Sequence, residues 1–197
     1  MSATRIILAG ILGGIAMFIW SSIAHMALPL GKTGIKELPN QQAIFAALQA
    51  GLGDKGSGLY LFPGLGVGDN PTKEQASEAM KHINERMAAN PSGLLVYHPA
   101  GTQPFSFGKF LGIEFGTECL EALLAVFLLA QTRIAGFGGR VGFIFVAGIL
   151  ASIATNVSYW NWYGFPGDYI AAYMFMQVVG FLCAGIVAAL VLPKNVT

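Results

Sequence analysis

The stretch FGKFLGIEFGTECLEALLAVFLLAQT, residues 107–132, decides how this chain is read. It is apolar along most of its length, and as a helix it would run about 39 Å, enough to cross a hydrocarbon layer of about 30 Å. Within it stand three carboxylates, Glu114, Glu118 and Glu121. At about 100° per residue they share an arc of about 60°, one above another on a single face. A charge at the centre of a bilayer costs roughly 2.5–3.5 kcal/mol on insertion scales. Three of them on one stripe therefore imply a shared function or a shared compensating environment.

The remaining chain supports a membrane setting. Hydrophobic residues make up 54% of the 197, and charged residues only 11%, less than half the share usual in soluble proteins. The apolar residues collect into four long runs, at residues 6–28, 107–132, 141–163 and 169–192. The first run exceeds the apolar core of a cleaved signal peptide, so it reads as a retained transmembrane helix. Its Gly10 and Gly14 form a GxxxG, a spacing that lets helices approach closely. The expected fold is an all-α membrane protein, a four-transmembrane-helix bundle with a small α/β extracytoplasmic insert between helices 1 and 2. In domain terms this gives residues 1–28 as helix 1, residues 29–104 as the insert, and residues 105–197 as helices 2–4.

The insert is polar and rich in Gly and Pro. A short helix is expected over residues 41–50, stopped by Gly51. A second is expected over residues 72–89, with Asn70 as N-cap and Pro71 at the first helical position. Ala76, Met80, Ile83 and Met87 would lie along one of its faces. Two similar apolar segments flank this helix, at residues 58–62 and 93–98, and strand–helix–strand spacing of this kind permits a parallel pair. So small a unit buries little by itself. His82 reads as solvated on a charged helix, and His98, before Pro99, as a strand-end residue.

Basic residues set the orientation. Arg5, Arg133, Arg140 and Lys194 fall on one side of the four runs, whereas the short turn opposite carries Asp168. The positive-inside rule then puts both termini in the cytoplasm of a bacterial-type cytoplasmic membrane, with the insert outside. Lys109 would snorkel at the outer mouth of its helix.

Helical rise brings polar side chains of all four runs to one depth. His25 on the first, Asn156 and Tyr159 on the third, and Tyr173 and Gln177 on the fourth meet Glu114, Glu118 and Glu121 in the outer half. The opposite halves are nearly all aliphatic. This predicts a polar pocket in the outer leaflet, floored by Glu121. Apart from Lys109 at the outer mouth of the second, no Lys or Arg interrupts the four runs, so three unpaired anions would be untenable. Three solutions follow: protonated, hydrogen-bonded acids; a bound metal ion, with Glu114, Glu118 and His25 as ligands; or positive charge from a partner. The functional expectation is a pocket that binds or relays a proton or metal cation, beside a small substrate. The alternative is a non-catalytic accessory subunit of a larger membrane complex, or a homo-oligomer, with carboxylates paired to a neighbour.

Other chemistry is excluded or unsupported. A net charge of +1 shows no nucleic-acid footprint. Cys119 and Cys183 both lie in apolar runs and form no CxxC or disulfide framework. There is no GxSxG and no HExxH, and a single histidine within the runs rules out a bis-histidine haem.

Overall fold

The computed structural model describes residues 2–53, 55–68 and 70–193. It divides into two units, Met1–Lys36 with Ser106–Thr197, and Glu37–Phe105. Residues 29–36, expected in the insert, thus belong with the long helices.

The first unit holds four long helices: α1 (Ala3–Met26), α5 (Phe107–Ala130), α6 (Phe137–Tyr163) and α7 (Gly167–Val191). Three of them, α1, α6 and α7, are long and apolar enough to cross a membrane, which places the chain in contact with a lipid bilayer. Helix α5, at 24 residues, matches α1 in length, but Lys109 and its glutamates set it apart in composition. Helix α1 packs between α5 and α7, α7 packs in turn on α6, and α5 touches α6 and α7 only sparsely. Small residues set the close crossings. A Cβ on Gly14 would fall on the backbone of Cys119 in α5, and one on Gly148 would strike Phe181 in α7. Glycine allows these approaches because it carries no side chain.

The two ends of this unit differ. Ala9, Ala122, Val126, Leu129, Ile144, Ala184 and Ala188 form a fully buried cluster. They come from the first half of α1 and α6 and the second half of α5 and α7, so the four helices close tightly at one end. Arg140 is buried there, 1% exposed. It was expected in a polar link preceding a helix at 141, but α6 begins at Phe137 and enfolds it. Its guanidinium donates to Leu192 O at 3.1 Å, Pro193 O at 2.8 Å and Ile134 O at 3.4 Å. It thereby closes the carbonyl end of α7, where a cation meets the negative end of the helix dipole. Arg140 is therefore engaged within the fold, which weakens its use as a free topological marker; Lys194 lies outside the described residues.

At the other end α6 stops on Gly164, whose φ of 69° is a left-handed C-cap, and its N–H bonds Tyr159 O. Pro166 then opens α7. After α1, a 3-10 turn, Pro29–Lys32, folds back on the helices. Gly31 lies against the His25 ring and Gly34, at φ 75°, against Tyr169. Neither site has room for a Cβ.

The second unit contains α2 (Gln41–Leu52), β1 (Gly58–Phe62), α3 (Lys73–Lys81), α4 (Ile83–Ala89) and β2 (Gly93–Tyr97). The strands pair antiparallel, Gly58 opposite Tyr97 and Phe62 opposite Gly93, which overturns the parallel arrangement. The reason is the break at His82, whose φ of −98° and ψ of 5° leave the helical region. A straight helix over 72–89 would carry the chain about 27 Å; two short helices instead return it to the end of β1 that it left. The N-cap is Thr72 rather than Asn70. Thr72 Oγ1 accepts from Gln75 N at 3.2 Å, and Thr72 N donates to Gln75 Oε1 at 2.9 Å, a capping box written as TKEQ. Beside it the carboxyl of Glu74 is held below the ordinary glutamate range by a backbone amide and by the Thr72 hydroxyl. Gly51 lies inside α2, which ends at Gly53. No described residue of this unit is buried, and Leu59, Leu61 and Val96 stand open on the sheet at 62%, 63% and 65% exposure.

Candidate functional site

Where the tightly packed end gives way, the four long helices part around a cavity of about 510 Å³. The second half of α1 contributes Trp20, Ser21 and His25, and the first half of α5 contributes Glu114, Thr117, Glu118 and Glu121. From α6 come Thr155, Asn156 and Tyr159; from α7 come Tyr169, Tyr173, Met176 and Gln177. All eight residues singled out from the sequence, Glu114, Glu118, Glu121, His25, Asn156, Tyr159, Tyr173 and Gln177, therefore line one space. The three carboxylates face inward rather than outward, because α5 presents its polar stripe to this gap and its apolar residues, among them Leu120, Leu124, Phe127 and Leu128, to the exterior.

The carboxylates are not equivalent. Glu114 is exposed and Glu121 half-buried, whereas Glu118 is only 7% exposed. One oxygen of Glu118, Oε2, is buried without a hydrogen-bond partner. A buried carboxylate oxygen in that state is costly unless a proton or positive charge satisfies it. The cavity wall supplies no Lys or Arg; His25 is the lone basic group among the lining residues.

Opposite polar groups are already engaged. Gln177 Oε1 accepts from Asn156 Nδ2 and from Thr155 Oγ1, both at 3.3 Å. Asn156 Nδ2 also donates to Ser152 O at 2.9 Å and to Thr155 Oγ1 at 2.8 Å. This cluster ties α6 to α7, and Trp20 Nε1 ties α1 to α7 through Met176 O at 2.9 Å. These three helices thus form a braced wall facing the carboxylate ladder.

Rings continue that wall. Tyr159 and Phe165 are 5.2 Å apart between centroids, Phe165 and Tyr169 5.7 Å, and Tyr169 and Tyr173 4.5 Å. His25 meets Tyr173 edge-on at 6.1 Å. Trp20, Phe165 and Tyr169 join Tyr159 and Tyr173 in the wall, although they are not among the residues expected there. Tyr169 and Tyr173 lie one turn apart on one face of α7, whereas Phe165 sits in the turn that precedes that helix. The aromatic cluster at the end of α6 divides, with Tyr159 on the cavity and Trp160 and Trp162 exposed at 55% and 77%, as interface anchors would be.

The metal reading of Glu114, Glu118 and His25 is set aside. Among the described residues no three or more His, Cys, Asp or Glu side chains converge closely enough to hold a metal ion. Both cysteines are free and half-buried.

Comparison of the chain with protein-family models, curated proteins and solved structures finds no match.

Proposed function

We propose that this protein is a four-helix membrane unit, α5 crossing beside α1, α6 and α7, whose cavity binds or relays a proton or other monovalent positive charge at Glu118. The single observation that carries this is the buried, unpartnered Oε2 of Glu118 on the wall of a space lacking Lys and Arg. Membrane carboxylates that face a polar cavity commonly mark ion or proton pathways. The apolar exterior of α5 supports its crossing the bilayer despite the glutamates, since its charge is turned inward. In this reading the cavity opens to the extracytoplasmic side, both termini are cytoplasmic and Glu121 lies deepest.

The test is proton flux. Proteoliposomes holding a pH-sensitive dye, with an imposed membrane potential, should change internal pH faster than empty vesicles. Glu118→Gln, which keeps the shape and removes the ionisable group, should lower that rate at least about tenfold, the scale on which a positioned proton carrier acts. Equal rates for both proteins reject the reading.

A second role, as a subunit of an oligomer or larger complex, is favoured by one feature of α5. Gly108, Gly112 and Gly116 recur every fourth residue, and a Cβ on any of them would meet nothing within 4 Å. This is a close-approach face with no partner among the described residues. If a neighbour occupies it, native mass spectrometry in mild detergent should show an oligomer for the wild type and a monomer for Gly112→Ile. A wild-type monomer discards this role.

A further inference from the structure

We propose that the cavity takes an organic ammonium ion, its alkyl groups seated against Tyr159, Tyr169 and Tyr173 and its charge directed to Glu118. This rests on the reading that the cavity receives positive charge, and it names the chemical class.

Three independent features of the wall select that class. The first is charge. Glu114, Glu118 and Glu121 line the space, with Oε2 of Glu118 buried and unsatisfied; an anion would leave it so, and a cation answers its charge as well as its lone pairs. The second is the ring wall. Tyr159, Phe165, Tyr169 and Tyr173 form an unbroken series with centroid separations of 5.2, 5.7 and 4.5 Å, tilted at 55°, 49° and 34°. All four residues line the cavity, and the faces of aromatic rings attract alkylated ammonium groups. A small hydrated metal ion gains nothing from them, and the scattered carboxylates offer it no coordination shell. The third is size. A cavity of about 510 Å³ falls within the range of small-molecule sites and far exceeds one bare cation. Its remaining surface, from Met17, Trp20, Ile170 and Met176, suits hydrocarbon attached to the charged group. His25, 6.1 Å from Tyr173, lies at the same end of the wall.

Isothermal titration calorimetry on the detergent-purified full chain tests this with four solutes: choline, putrescine, sodium chloride and 3,3-dimethylbutan-1-ol, the neutral carbon counterpart of choline. Choline should bind saturably, one per chain, with a Kd below about 10 mM, whereas the neutral counterpart and sodium should not. Tyr169→Leu, Tyr173→Leu and Glu118→Gln should each weaken choline about tenfold, in line with a lost cation–π or charge contact, and Tyr169→Phe, which keeps a ring, should not. Trp162→Leu, remote and 77% exposed, should leave the affinity unchanged. The proposal is overturned if neither ammonium binds, if the neutral counterpart binds as well as choline, or if putrescine alone binds and is indifferent to the tyrosines. Failure here together with a proton flux that still depends on Glu118 rejects the ammonium ligand and leaves the proton reading standing.

Discussion

Arg140→Leu should lower stability by about 2–4 kcal/mol, read from reversible unfolding in mixed detergent micelles. The side chain is 1% exposed and supplies the donors for Leu192 O, Pro193 O and Ile134 O. A shorter apolar side chain removes them while leaving the carbonyls in place, and each orphaned buried carbonyl costs about 1–3 kcal/mol. Some of that returns if water reaches the end of α7, which is why the sum is not simply three times the unit. Arg140→Lys should recover less than half, because an ammonium is a compact point charge and cannot span three acceptors as a guanidinium does. Arg133→Leu, at an exposed position, should change stability by less than about 0.5 kcal/mol. Equal losses for Arg133 and Arg140 would show that the buried contacts do not matter.

Gly14→Leu should prevent α1 and α5 from docking, and Gly14→Ala should cost about 1–3 kcal/mol. A Cβ there lands on the Cys119 backbone rather than on a flexible side-chain tip, so no rotamer change relieves it and the helices must separate. Gly112→Ala is the matched control: same helix pair, same added methyl, nothing within 4 Å, and a gain in helix propensity of up to about 1 kcal/mol. Since Cys119 adjoins Glu118, the Gly14→Ala protein should also bind cations more weakly than wild type even where it remains folded. Indistinguishable melting of the Gly14→Ala and Gly112→Ala proteins would refute the crossing.

The helices and the cavity wall were legible in the sequence because both follow from one periodicity. Apolar runs of membrane length and a constant rise per residue place Glu118, His25, Asn156 and Gln177 at similar depth without knowledge of their contacts. What escaped were features decided by a single local competition. Gly136, Gly138 and Gly139 disguise the start of α6, so the apolar run begins at 141 whereas the helix begins at Phe137 and takes in Arg140. His82 carries no strong breaker signal, yet its conformation splits a helix and reverses the strand pairing. Thr72 was overlooked in favour of the neighbouring Asn-Pro, although the reciprocal Thr72–Gln75 pattern was there to be read. Whether an acidic stripe gathers a metal depends on where the carboxylate oxygens come to rest, which residue spacing only bounds.

Helices that are fastened at one end and parted at the other behave like a clothes-peg. Because α1, α6 and α7 are tied to one another beside the cavity, α5 is the arm that should yield to guests of unequal girth, while the fastened end keeps its shape. Motion should then be graded along each rod, with amide exchange slow near Ala184 and Ala188 and progressively faster toward Tyr169.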